Sequence, residues 1–293
     1  MTTEKKTILL IEFESTDRES WLRQIADSYQ TVQEYKEGYV SLKFALSICV
    51  RTLKPFHLVT IASLIHHCYQ KGLVVTIQTD NDEVFKYIYE ELSFYEYWSG
   101  GKNYVETRST HNVLNLWRIV EQEKDLYAKR VEMYFRERYF QNKDLSAVSV
   151  CLLEAYYNVF DHAQAEGNAF SLIQYDEASC KLFVAISDFG KGIAKTVRDF
   201  DSSITSDKEA ILKALEDQFT VGSTKRNRGF GLSNILSPTE EARIFSHCGL
   251  VYKKGAEVKS FETDFSYPGT LIYFEINLSN MDDEEFIEEF SLQ

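Results

Sequence analysis

No apolar run in this 293-residue chain approaches the roughly 20 residues a bilayer-spanning helix needs. Cysteines are few and scattered: Cys49, Cys68, Cys151, Cys180 and Cys248 form no CxxC pair. Structural zinc sites and disulfide frameworks both need closer pairing, so the sequence predicts buried thiols in a reducing cytoplasm. Positive charge is also in short supply. Lys and Arg total 32 against 45 Asp and Glu, a formal net charge of -13, which argues against a nucleic-acid-binding surface over the whole molecule because phosphate neutralisation needs clustered cations. A Walker A loop and a GxGxxG fingerprint are both absent, which excludes a P-loop enzyme and removes the signature of a dinucleotide fold.

What is present is an ordinary globular composition, 44% apolar and 26% charged. The length exceeds that of a usual compact domain, so two domains are expected. The N-terminal Met1-Thr-Thr-Glu-Lys-Lys6 leads into an apolar strand and not into a signal-peptide core, so a cytoplasmic protein is expected. Residues 281–290 carry six carboxylates in ten positions and read as a solvated acidic tail; Phe286, Ile287 and Phe290 are spaced as the apolar stripe of a short docking helix, the second reading.

Residues 7–13 read as a buried strand, and 39–46 alternate like a second. Leu58, Ile61, Ala62, Leu64, Ile65 and Cys68 recur at helical spacing over 58–70, Lys71-Gly72 ends that helix, and 73–78 form a strand before a helix over 82–92. Strands alternating with helices imply an α/β layer structure with a largely parallel or mixed sheet. His66 and His67 are adjacent, so they point about 100° apart on the helix and do not read as a metal pair. Residues 119–140, rich in Glu, Lys and Arg and free of Pro and Gly, suit a helix packed between domains.

The segment 144–165 reads as one long helix with Asp144 as N-cap and Gly167 as terminator. Glu154, Asn158 and His162 fall at i, i+4 and i+8 and line one face, while Val148, Cys151, Leu152, Ala155 and Val159 form an apolar one. A polar stripe on so apolar a helix calls for a partner, since burying it unpaired would cost a few kcal/mol. Strands over 169–175 and 181–187 read as a hairpin running into Asp188-Phe-Gly190-Lys-Gly192-Ile193. A carboxylate at the end of a buried strand suits an adenine amino group, and the glycines permit close backbone approach; a tight turn would also explain them. A short helix over 207–217 precedes Ser223, Thr224, Lys225 and Arg228, hydroxyls and cations that favour a triphosphate over a solvated loop. Gly229, Gly231 and Leu232 open the next helix, whose amides can hold anionic oxygens, and Thr270 begins a strand over 270–276.

In this order and spacing the boxes around Glu154–His162, Asp188–Ile193, Arg228–Leu232 and Gly269-Thr270 resemble those of the GHKL family of ATPases and kinases, closest in the first box to the anti-sigma serine kinases. The first part of the chain resembles a STAS domain in its order of elements. The fold these resemblances imply is α/β (α+β): a STAS-like domain over 1–115, a helical linker over 116–142, a GHKL ATP-binding domain over 143–279 with helices on one face of a mixed sheet, and an acidic tail over 280–293. They imply ATP and Mg²⁺ as cofactors. Asn158 would ligate Mg²⁺ and Glu154 would orient or deprotonate the nucleophile. Asp188, Gly190, Gly192, Ile193 and Thr270 would hold the base. His162, Ser223, Thr224, Lys225, Arg228, Gly229, Gly231 and Leu232 would complete the nucleotide site, with 194–228 as its lid. Two departures stand out: Asn227 occupies a common glycine position, and Lys54-Pro55-Phe56-His57 replaces the phosphorylatable Asp-Ser-Ser-Gly turn of STAS partners. The implied function is a regulatory ATPase or Ser/Thr protein kinase with a protein partner, compatible with a homodimer and involving neither membrane nor nucleic acid; the alternative is a non-catalytic, ATP-gated interaction module.

Overall fold

The computed structural model describes residues 8–94, 110, 112–160, 165, 167–216 and 232–283. Its first strand, β1 (Ile8–Phe13), is followed by α1 (Arg18–Glu34), β2 (Tyr39–Phe44), α2 (Pro55–Gln70) and β3 (Val74–Thr79). The strands form a parallel sheet in the order β1-β2-β3, with Ile8 beside Tyr39 and Tyr39 beside Val74. Alternation sets its two faces. Ile11, Phe13, Val40, Leu42, Phe44, Val75 and Ile77 are buried, whereas Ile8, Leu10 and Val74 are exposed. Helix α1 starts where the Asp17 carboxylate accepts the Ser20 amide, and Trp21, Leu22, Ile25, Ala26 and Val32 then return at helical spacing to the buried side. The helix expected over 82–92 is α3 (Asp82–Phe85), continued as a π-helical stretch over Lys86–Glu91.

A second sheet holds β4 (Val113–Arg118), β5 (Ala169–Asp176), β6 (Lys181–Asp188), β7 (Glu241–Lys254) and β8 (Glu257–Asn277), in the order β4-β5-β6-β8-β7. Every pair in it is antiparallel, not mixed as expected. The reason is the position of β8. It lies between β6 and β7, so the two strands that run the same way never touch.

On one face of this sheet pack α4 (Lys124–Tyr139), α5 (Ser146–Asn158), α6 (Ile193–Phe200), α7 (Asp207–Ala214) and α8 (Ser233–Leu236), through a core that includes Leu152, Ala155, Val184, Ile186, Ile211 and Phe274. The other face is covered by the N-terminal elements. Phe170, Leu172, Phe183, Leu271 and Tyr273 join one hydrophobic cluster with α1, α2 and the buried side of the first sheet. Helix α2 is therefore buried all round, with Phe56, Leu58, Val59, Ile61, Leu64, Ile65 and Cys68 each at 3% exposure or less.

Several element boundaries differ from expectation. Thr270 does not begin a strand over 270–276 but lies inside β8, whose earlier residues extend the pairing with β7. Strand β4 crosses the boundary expected at residue 115 because Leu114 and Trp117 face one core while Val113 and Leu116 face the other. The segment expected as a linker over 116–142 thus begins inside a sheet, and its helix is α4. Helix α5 starts at Ser146, with Leu145 at the N-cap position; Asp144 instead accepts the Ser146 amide at 2.8 Å. The start of the expected tail is tied down, since the Asp144 amide donates to the Asp282 carbonyl at 2.9 Å and Lys143 bridges to Asp283. No helix among the described residues is long and apolar enough to cross a membrane.

Candidate functional site

Where the end of β6 meets α5 and β8, a narrow cleft, partly open to solvent, is lined by Ala155, Asn158, Val159, Ile186, Asp188, Ile193, Thr270 and Ile272. Its walls are mostly apolar, and its polar groups come from three separate segments that the sequence singled out. No water-sized sphere fits between its walls.

Asp188 closes β6 directly opposite Thr270 of β8 and is 3% exposed. Its Oδ1 accepts the amides of Gly190 at 3.0 Å and Thr270 at 3.3 Å. No described residue donates to Oδ2. Burial pushes the carboxyl up to about 7, against the opposing pull of those two amides. Oδ2 can therefore accept a donor from outside the described residues.

The glycines of the segment serve the loop's own packing. Gly269 has φ +114, and a Cβ there would stand 2.3 Å from the Asp188 carbonyl oxygen. Gly192 has φ +76, and a Cβ would stand 2.7 Å from Ser246 Oγ and 2.8 Å from the Gly269 carbonyl oxygen. Two hydroxyls then cap the start of α6. Thr270 Oγ1 accepts the Ile193 amide at 3.0 Å, while Ser246 Oγ accepts the Ala194 amide at 3.1 Å and donates to the Gly269 carbonyl at 3.0 Å. Sequence reasoning missed Ser246. Its signal was a hydroxyl at an inward position of a strand whose preceding inward residues are Ala242 and Ile244.

From the helical side, Asn158 is 9% exposed and donates through Nδ2 to the Glu154 carbonyl at 2.6 Å. Its Oδ1 accepts no hydrogen bond from a described residue. Glu154 lies one turn earlier, half-buried, and does not line the cleft. Leu232 also does not line it; at 1% exposure it belongs to the core beside Ile235. His162, Ser223, Thr224, Lys225, Arg228, Gly229 and Gly231 lie outside the described residues.

The remaining ionisable candidates pack elsewhere. His66 meets Phe170 with ring centres 5.7 Å apart, whereas His67 meets Tyr29 at 4.5 Å; burial lowers both imidazoles to about 4. Among the described residues no group of three or more His, Cys, Asp or Glu side chains is arranged to hold a metal. The cysteines are free. Cys68 and Cys151 are buried as expected, with burial raising both thiols to about 12, but Cys49, Cys180 and Cys248 are partly exposed. No protein-family model and no curated protein matches the chain.

Proposed function

We propose that the chain is an ATP-binding regulatory protein of the GHKL type, cytoplasmic, with a STAS-like N-terminal unit through which it meets a protein partner. The observation that carries this reading is Asp188: a buried carboxylate with Oδ2 unpaired by any described residue, at the edge of an apolar cleft, opposite an asparagine on a helix. The adenine amino group would donate to Oδ2. Ala155, Val159, Ile186, Ile193 and Ile272 offer the apolar walls a planar base prefers. Asn158 Oδ1 suits Mg²⁺, a hard cation that commonly takes one or two protein oxygens and completes its shell with phosphates and water. Bound there, Mg²⁺ would neutralise charge on the polyphosphate. The hydroxyls and cations at Ser223, Thr224, Lys225 and Arg228 supply the matching chemistry for the phosphates.

Glu154, one helical turn from Asn158, would orient or deprotonate a water or a partner's Ser/Thr hydroxyl, giving an ATPase or a protein kinase. A second reading, an ATP-gated interaction module without turnover, draws on Glu154 standing outside the cleft lining. The N-terminal unit favours docking over phosphate acceptance. At the turn before α2, the Lys54 amide donates to His57 Nδ1 at 2.8 Å and His57 Nε2 meets the Thr16 carbonyl at 3.1 Å, so its polar groups are committed to the fold.

Incubation with γ-labelled ATP and Mg²⁺ separates the readings. With turnover, Glu154→Gln keeps ATP binding and loses released or transferred phosphate by at least a hundredfold. Wild-type protein that binds ATP and forms no product identifies the gated module.

A further inference from the structure

Side chains alternate across a strand, so Asp188 faces the cleft while Ser187 and Phe189, its neighbours, face or flank the opposite side, where α2 lies. On that side a chain of buried polar groups crosses from α2 into the sheet. Ser63 Oγ meets Ser187 Oγ at 2.9 Å, and Ser187 Oγ meets the Tyr267 hydroxyl at 2.6 Å. Asn168 Nδ2 donates to the Ser63 carbonyl at 3.3 Å, and the Asn168 carbonyl accepts the Phe189 amide at 3.1 Å. Ser63, Ser187 and Tyr267 are fully buried, and Asn168 is 2% exposed.

These contacts bracket the cleft. Ser187 and Phe189 flank Asp188 in sequence, and Tyr267 comes just ahead of the Pro268-Gly269 turn that carries Thr270. Elsewhere α2 meets the sheet mainly through apolar and ring contacts, His66 on Phe170 among them, which tolerate small slides. A buried hydroxyl chain does not, because any shift leaves a desolvated group without its partner.

We propose that Ser63 is a positioning residue for the nucleotide cleft: through Ser187 and Tyr267 it fixes the strand ends that aim Asp188 and Thr270, so the seating of the N-terminal unit sets nucleotide affinity. The inference rests on the nucleotide reading given above. Coupling of this kind is reciprocal. Nucleotide binding then steadies α2, and a partner that shifts α2 loosens the nucleotide.

The test compares Ser63→Ala and Tyr267→Phe with Thr60→Val, which removes another buried hydroxyl of α2, the one accepting Trp21 Nε1 at 2.9 Å, without touching the sheet. Two quantities are read: Mg-ATP affinity by calorimetry, and, without nucleotide, amide exchange of Gly190 and Thr270, both of which donate to Asp188 Oδ1. Ser63→Ala and Tyr267→Phe are expected to weaken ATP binding roughly tenfold and to speed exchange at both amides roughly tenfold, while Thr60→Val changes neither beyond its effect on global unfolding. Equal affinity and equal exchange in Ser63→Ala and wild type would overturn the inference, as would effects matched by Thr60→Val. Failure of wild type to bind ATP would overturn the nucleotide reading instead, and the exchange data would still judge Ser63.

Discussion

Asp188 carries its charge under strain of solvation, and that has a sign. Its folded pKa of about 7 lies above the ordinary carboxyl value of 3.8, so between those values the folded state binds more protons than the unfolded one. Stability from this group is fully present below about 4 and is lost as pH rises to about 7. Asp188→Asn removes the dependence. Denaturant unfolding should show the variant gaining on wild type by a few kcal/mol between pH 4 and pH 7. The same group sets the pH dependence of binding. On the proposed reading an adenine amine would donate to the ionised form, so ATP affinity should fall below about pH 7, approaching tenfold per unit, and calorimetry across pH 5.5–8 checks it. Gly269→Ala places a methyl 2.3 Å from the Asp188 carbonyl at a φ that disfavours side chains; it should lower the unfolding free energy by at least about 2 kcal/mol and abolish binding.

At the scale of elements, the sequence was most legible where a single segment declares itself. Strands β1, β2, β3, β5 and β6 and helices α2, α5 and α7 follow from local periodicity, and Asp188, Asn158 and Thr270, from three separate segments, line one cleft. What stayed hidden depends on distant partners. Helix α1 is polar enough that its stripe of Trp21, Leu22, Ile25 and Ala26 passes for loop, although Asp17 marks its start. The insertion of β8 between β6 and β7 is a pairing choice that no local pattern encodes, so an antiparallel sheet read as a mixed one. Leu232 adjoins a motif yet packs as core. The all-round apolar character of α2 says that it is buried, not against what. Its contribution is large: Leu64→Ala should cost about 2–5 kcal/mol in denaturant unfolding, because Leu64 is fully buried between the sheets.

Across the whole molecule the layers run from the parallel sheet through α1 and α2 to the antiparallel sheet and the α4–α8 face. The N-terminal unit is therefore the second wall of the sheet that carries the cleft, not an appendage. A fragment beginning at residue 110 would expose Phe170, Leu172, Phe183 and Tyr273, a contiguous apolar surface. It should aggregate or fail to give a dispersed amide spectrum, whereas the full chain folds. On the proposed reading, this arrangement would let the N-terminal unit act on a nucleotide site through packing and buried hydrogen bonds.

The most direct measurement is a calorimetric titration of Mg-ATP into wild-type protein and Asp188→Asn at pH 7.5, with folding of both verified by their unfolding transitions. Saturable binding to wild type, weakened at least tenfold in the variant, is what the account requires. A folded wild type that binds no ATP, or equal binding by both proteins, would contradict it.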